Sequence, residues 1–180
     1  MTEPTELSDS DVNLYQRHKY RVKEGPAALK LMERFIQRID VGRLALNGKD
    51  YPYVIPTAHI YDRGLFYIHC AFEGKKLELI KSNPRVCYLV DGPIKPYPRD
   101  KRYYHHPWVS VIAYGEITEI GDPEERLRIL HMYSKHYNAP YVQLDRARTT
   151  NMLMLTVSKM TGRYGKFLPQ EKRVLLSCSF

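Results

Sequence analysis

The chain has 180 residues and a formal net charge of +8 at pH 7, with 43% hydrophobic and 27% charged residues. This length fits one domain, and no apolar run approaches the roughly 20 residues that a membrane-spanning helix needs. The positive charge suits an anionic partner, and nucleic acid, a phosphorylated cofactor and an acidic substrate all remain open.

The three cysteines are Cys70, Cys87 and Cys178. They form no C-x-x-C pair, so neither a disulfide framework nor a structural zinc site is expected. Cys87 lies inside the apolar run RVCYLV and is predicted to be a small buried side chain.

Both ends of the chain show weak structural patterns. Met1–Asp11 contains four acidic residues and no lysine or arginine, which is the wrong charge for a signal or transit peptide. We therefore expect a cytoplasmic protein. Residues 1–24 are predicted to be an N-terminal arm, residues 25–165 the folded domain, and residues 166–180 a C-terminal tail.

The first regular element is a helix predicted from Pro26 to about Ile39, because apolar residues recur at helical spacing after a proline that suits the first turn. From Val41 the spacing becomes that of strands. The run Tyr51–Tyr61 follows an Asn-Gly turn and contains Pro52 and Pro56. Because proline cannot donate a ladder hydrogen bond, this run predicts an edge strand, a bulge, or a backbone that faces something other than a strand.

The segment Leu65–Lys76, LFYIHCAFEGKK, is the most informative part of the chain. A buried strand is predicted to end at His69 and Cys70, whose side chains would point to opposite faces. A histidine in this position is either functional or, more often, a satisfied structural group.

A helix predicted over Glu73–Ser82 places Lys75 and Lys76 in its first turn, where the exposed backbone amides favour an anion. The two lysines are therefore either phosphate ligands or solvated surface residues.

The remaining chain continues the pattern of strands with short connections. Residues 91–107 contain four prolines and His105-His106, and a loop of this length is typical of a lid, a binding loop or an interface. Further strands are predicted at Arg85–Val90, Trp108–Ile120 and Met152–Val157. A further helix is predicted to start with Asp122 as its N-cap. Five or six strands in succession with three helices favour an antiparallel barrel over a doubly wound sheet.

The sequence lacks the patterns that are typical of several kinds of catalytic centre. His131 and His136 are five residues apart on a helix and diverge, so no dedicated metal site is expected. Ser110 lies in a strand pattern and not in a G-x-S-x-G turn, which argues against a nucleophilic triad. No glycine-rich phosphate loop is present.

The ordered set VGRLAL, YPYVIP, LFYIHCAFEGKKLELIKSNPRVCYLV, WVSVIAYGEI and TGR resembles the FMN-binding split-barrel family related to pyridoxamine 5′-phosphate oxidases. Within that family it looks most similar to the nitroimidazole-resistance branch. The resemblance covers roughly Pro26 to Arg163. It implies a mainly β fold with peripheral α-helices, a six-stranded antiparallel Greek-key split barrel.

The resemblance also implies a homodimer with FMN in clefts between the subunits, and a flavin-dependent oxidoreductase acting on a small molecule. Lys76, helped by Lys75, would hold the FMN phosphate, and His69 would be the catalytic group on the substrate side. Arg163 is a further candidate on the phosphate side. The other implied cofactor-binding residues are Tyr53, Val54, Ile55, Pro56, Thr57, Cys70 and Ser110.

Two features depart from the family pattern and leave the substrate open. Trp108 stands where a smaller or polar residue is more usual, and the loop at 91–107 is distinctive. Two alternatives also remain: a split barrel that binds haem or a deazaflavin, and a basic barrel that binds nucleic acid without catalysis.

Overall fold

The computed structural model describes residues 20–93, 108–165 and 173–179. These residues form nine strands and four helices, a mainly β composition as predicted. In chain order the elements are β1 (Tyr20–Glu24), α1 (Gly25–Ile36), β2 (Val41–Leu46), β3 (Tyr53–Ala58), β4 (Ile60–Asp62), β5 (Leu65–Cys70), α2 (Lys75–Ser82), β6 (Arg85–Pro93), β7 (Trp108–Glu119), α3 (Pro123–His136), α4 (Leu144–Arg148), β8 (Asn151–Gly165) and β9 (Arg173–Ser179).

The hydrogen-bonded strand order is β1–β9–β8–β7–β6–β2–β3, with β5 paired to β8 and β4 paired to β5. Internal contacts divide the chain into two compact units. The first comprises Met1–Ile39, Leu89–Ala113 and Lys159–Phe180, and the second comprises Asp40–Tyr88 and Tyr114–Ser158.

In the first unit, helix α1 contacts β1 and β9. Its buried face consists of Ala28, Met32 and Ile36, and it ends three residues before the predicted end at Ile39. Strand β9 pairs antiparallel with β8 and parallel with β1. These two strands were not predicted, because their sequences lie in the segments interpreted as arm and tail.

In the second unit, β2 and β3 pair antiparallel, with Arg43 opposite Pro56. Strand β3 is the last strand of the hydrogen-bonded order. This position explains why a proline is tolerated there, since an edge strand has backbone groups that need no partner strand.

Two glycines of the second unit allow close approach between elements. A Cβ on Gly115 would collide with the carbonyl oxygen of Thr156, so only glycine lets β7 come this near to β8. A Cβ on Gly42 would lie 2.5 Å from Cζ of Tyr88.

Helix α3 covers one core cluster of the second unit. Asp122 caps the helix by accepting hydrogen bonds from the amides of Glu124 and Glu125 at 3.1 and 3.3 Å, as its sequence pattern predicts. The cluster consists of Ile60, Tyr67, Ile120, Ile129, Tyr133 and Met152. None of the helices in the described residues is long and apolar enough to cross a membrane.

Candidate functional site

The end of β5 and the start of α2 lie together in the second unit, joined by the turn Ala71–Gly74. His69 is exposed and Cys70 is half-buried. Helix α2 begins at Lys75 and not at Glu73, because Gly74 occupies the N-cap with φ of 119°, a value that favours glycine. No side chain caps this helix, and the Leu77 amide donates to the Gly74 carbonyl at 2.9 Å. The amides of Lys75 and Lys76 are therefore left to water or a ligand.

The two lysines at this helix start differ in their surroundings. The Lys75 Nζ lies 3.6 Å from a Glu78 carboxylate oxygen, and both side chains are largely exposed. The positive charge of Lys76 instead acts on the residues at the end of β5, where it opposes the raised pKa of Cys70 and lowers the pKa of His69. Of the two lysines, Lys76 is therefore the one near the end of β5.

The surroundings of His69 favour a neutral ring. Partial burial lowers its pKa below the usual 6.5, and the positive charges of Lys76 and Arg146 lower it further. The ring stands edge-on to Tyr133 at a centroid distance of 5.2 Å. A neutral imidazole can both donate and accept a hydrogen bond, which suits a group that exchanges a proton with a ligand.

The Cys70 thiol is held in its protonated form. Burial raises its pKa, with Glu119 acting in the same direction, and this outweighs the opposing effects of Lys76 and Arg126. Since the thiolate is the reactive form, the structure gives Cys70 no special nucleophilic character.

Strand β3 contacts β5 and carries the five predicted residues Tyr53–Thr57. Val54 and Pro56 are exposed, whereas Tyr53, Ile55 and Thr57 are half-buried. Strand β3 therefore lies near β5 in the second unit.

Beneath β3 lies a buried polar network that the sequence did not predict. The Tyr88 hydroxyl donates to the Thr57 carbonyl at 2.9 Å. It also lies 3.0 Å from the Thr57 hydroxyl and 3.1 Å from His59 Nδ1. Burial raises the pKa of Tyr88 above its usual value, so the phenol stays neutral. This network holds the carbonyl and the hydroxyl of Thr57 in place.

Ser110 and Arg163 belong to the first unit. Ser110 is half-buried on β7, and Arg163 is exposed on β8, opposite Leu175 of β9. Their predicted contacts with a cofactor stay predictions. Most of the predicted lid, residues 94–107, lies outside the described residues, as does the side chain of Trp108.

An open groove of about 780 Å³ lies elsewhere in the second unit and contains none of the predicted site residues. Cys87 is half-buried and lines this groove, so the prediction of a buried side chain is wrong. Its strand position turns it outward, a choice that the all-apolar run RVCYLV could not reveal. The groove is lined by Ala45, Leu46, Asn47, Pro52, Asn83, Arg85, Val86, Cys87, Tyr114, Gly115, Glu116, Thr156 and Ser158.

Sequence reasoning missed the polar residues that surround the end of β5 from distant parts of the chain. Arg146 lies on α4, a short helix that was not predicted. Asn151 hydrogen-bonds Glu119, a partner 32 positions away. Within the described residues, no group of three or more His, Cys, Asp or Glu side chains could hold a metal ion.

Solved structures share this fold. One is a candidate 5-nitroimidazole antibiotic resistance protein from Bacteroides thetaiotaomicron, with 23% identity and a TM-score of 0.64 over 74% of this chain and 81% of that one. Another is an FAD-binding protein from Mesorhizobium loti, with 23% identity and a TM-score of 0.54 over 74% and 92%. A third is an FAD- and haem-binding protein from Mycobacterium smegmatis, with 12% identity and a TM-score of 0.64 over 78% and 72%.

These similarities confirm the predicted fold class, a mainly β split barrel with peripheral helices, although the described residues form nine strands instead of six. A comparison with curated proteins gives no match. Residues 30–164 match the family model described as pyridoxamine 5′-phosphate oxidase. Because this match extends over most of the chain, the protein belongs to the pyridoxamine 5′-phosphate oxidase family.

Proposed function

We propose that this protein binds FMN beside the end of β5 and uses it as an oxidoreductase on a small molecule. The observation that carries the proposal is the uncapped start of α2, where Lys76 faces His69 and Cys70. Two ammonium groups and free helix amides form the donor set that a phosphate group accepts.

The relatives support a flavin as the ligand. The family is that of a flavin-linked oxidase, and two of the solved structures are described as FAD-binding. We favour FMN over FAD because one helix start with two adjacent lysines suits a single terminal phosphate.

The chain's own residues would bind and orient the cofactor, while the flavin supplies the redox chemistry when it is bound. Lys76 and the α2 amides would hold the phosphate. The β3 edge, Tyr53–Thr57, would lie along the ring system with its backbone groups available for hydrogen bonds. Neutral His69 would donate or accept a proton on the substrate side.

Further parts of the proposal come from the family resemblance. Ser110, Arg163 and Cys70 would contribute to cofactor binding, and two chains would form a homodimer in the cytoplasm with FMN between subunits. Light scattering of the purified protein tests the dimer, and a monomer in both the presence and the absence of FMN would contradict it.

Identification of the cofactor tests the proposal directly. The protein is purified, its visible spectrum is recorded, and the released ligand is identified by mass. We expect a flavin spectrum and the mass of FMN. A haem or deazaflavin spectrum would replace FMN by the corresponding ligand, and a colourless protein that fails to bind added FMN would refute the proposal.

The role of His69 is tested separately, with any substrate that the flavin-loaded protein turns over. We expect His69→Ala to lower kcat while FMN binding persists. Unchanged turnover in this variant would remove His69 from the catalytic machinery.

A further inference from the structure

We propose that Asn151 is a positioning residue for the phosphate anchor, acting through Glu119 and through the turn Ala71–Gly74 that connects β5 to α2. The inference rests on the proposed function. It assigns a role to a buried asparagine that is distant in sequence from His69, Cys70, Lys75 and Lys76.

Asn151 is the first residue of β8 and lies opposite Cys70 in the strand register. It is 0% exposed. Its Nδ2 donates to Glu119 Oε2 at 2.7 Å and to the Ala71 carbonyl at 3.4 Å, and its Oδ1 accepts from the Met152 amide at 2.9 Å. Both sides of the amide are therefore occupied, as a fully buried polar group requires.

The first of these contacts leads to helix α2. Glu119 Oε1 lies 4.0 Å from Nζ of Lys81, which is in the last turn of that helix. The Glu119 carboxylate also raises the pKa of the Cys70 thiol. Through Glu119, Asn151 is thus connected to the last turn of α2.

The second contact fixes the turn itself. Ala71 immediately follows Cys70, and three residues later Gly74 occupies the N-cap of the helix. Arg126 holds the same turn from another side, because its guanidinium lies 5.1 Å from the Phe72 ring centroid while its Nε donates to the Ile120 carbonyl at 2.6 Å. The turn that delivers Lys75 and Lys76 is therefore held by side chains from β8 and α3.

If Asn151 had a purely structural role, its substitution would lower stability without changing how the protein distinguishes phosphorylated from unphosphorylated flavin. A positioning role predicts a selective loss. The informative quantity is the ratio of the riboflavin Kd to the FMN Kd, because riboflavin lacks the phosphate that the α2 start would hold.

The first arm uses Asn151→Asp, alone and with Glu119→Gln. The single substitution places two carboxylates within hydrogen-bond distance and removes the donor. The double variant restores one hydrogen bond in the reverse direction, from the Gln amide to the Asp carboxylate. We expect the single variant to lower the Kd ratio about fivefold, since a hydrogen bond of this kind contributes a modest but measurable free energy. The double variant should recover only part of the ratio, because the hydrogen bond to the Ala71 carbonyl is not restored. Asn47→Ala, an exposed asparagine in the groove, is the matched control and should leave the ratio unchanged.

The second arm needs no flavin. Iodoacetamide alkylation of Cys70 in the apoprotein is followed by peptide mass mapping. We expect faster alkylation in Asn151→Ala than in the wild type, because the Ala71 carbonyl loses its donor without a new carboxylate beside Cys70, and no change in Asn47→Ala.

The outcomes separate the two proposals. Suppose that the wild type binds FMN and that Asn151→Asp leaves the Kd ratio unchanged, because neither affinity changes or because both flavins bind more weakly by the same factor. The positioning role is then wrong and the proposed function stands. If the wild type binds neither flavin, the proposed function and the phosphate role both fall. An unchanged alkylation rate in Asn151→Ala would also overturn the inference, because the turn would then not depend on Asn151.

Discussion

Two histidines of the second unit lie in opposite surroundings. His59 is 3% exposed, its ring packs against Phe66 and Tyr88, and its Nδ1 lies 3.1 Å from the Tyr88 hydroxyl. His69 is exposed, and the charges that act on its pKa are the cations Lys76 and Arg146. The first ring belongs to a neutral, buried network, whereas the second is accessible and flanked by positive charge.

The contrast separates a role in stability from a role in binding. Buried polar groups that hydrogen-bond one another hold the backbone in place, and the loss of one leaves the others desolvated. Substitution of exposed groups beside cations and free helix amides costs little stability, but these groups are positioned for an anionic ligand. Substitutions around His59 should therefore change stability, and those around His69 should change binding.

The largest expected effect is that of Gly42→Ala on the buried network. The new Cβ would lie 2.5 Å from Cζ of Tyr88 and 2.7 Å from its hydroxyl oxygen, so the ring must shift away from Thr57 and His59. We expect the free energy of unfolding to fall by about 3 kcal/mol. Urea denaturation measures this, with Gly121→Ala as control, since a Cβ there meets nothing within 4 Å. Equal stability of the two variants would contradict the close packing.

Removal of the Tyr88 hydroxyl should have the next largest effect. Tyr88→Phe keeps the ring but leaves its partners at Thr57 and His59 without this hydrogen bond. We expect a loss of about 2 kcal/mol in the free energy of unfolding. Tyr114→Phe, an exposed tyrosine, is the control in the same urea titration. If both changes cost the same, the buried network would contribute nothing beyond packing.

Substitutions of the two exposed lysines of α2 should differ in their effect on FMN binding. Lys76→Ala is expected to weaken FMN binding about tenfold, or roughly 1.4 kcal/mol, because a charge-assisted hydrogen bond is lost. Lys75→Ala should cost less, since Lys75 already pairs with Glu78. Flavin fluorescence titration gives both affinities. A larger loss in Lys75→Ala than in Lys76→Ala would reverse the assignment of the phosphate ligand.

The smallest effect concerns protonation of His69. Its pKa is lowered first by burial and then by Lys76 and Arg146, so Lys76→Ala and Arg146→Ala should each raise it toward 6.5. NMR titration of the ring protons measures the change. Arg148→Ala is the control, because Arg148 pairs with Asp145 and is not among the causes of the shift.

The same shift predicts a pH dependence of stability. Because the folded pKa lies below the unfolded value, the unfolded state takes up the proton first as the pH falls through about 6.5. His69 therefore lowers stability on acidification between the unfolded and the folded pKa, and has no effect above both. His69→Gln should remove this component from the pH profile of unfolding, and an unchanged profile would argue against a lowered pKa.

The sequence predicted those parts of the site whose residues are neighbours in the chain. His69, Cys70, Lys75 and Lys76 lie within eight positions, and a strand followed by a helix brings them together by local geometry alone. The missing N–H groups of Pro52 and Pro56 likewise indicated an edge strand, a bulge, or a backbone that faces something other than a strand. Pro56 lies on β3, the last strand of the hydrogen-bonded order.

Residues brought together by strand pairing could not be predicted in the same way. Tyr88 and Thr57 are 31 positions apart, and Asn151 and Ala71 are 80 apart, so their contacts exist only once the sheet has formed. Strand β1 was missed for a related reason. It pairs with β9 at the other end of the chain, which leaves no local hairpin pattern to detect. Strand β9 pairs antiparallel with its neighbour β8, so this reason does not apply to β9.

Pro56 also affects how the protein behaves at high concentration. An unpaired edge strand is a template to which a second chain can add a strand of its own, and Val54 on this edge is 56% exposed. Pro56 offers an incoming strand no N–H at its position, which interrupts a continuous intermolecular ladder. Pro56 therefore opposes aggregation through the edge of β3.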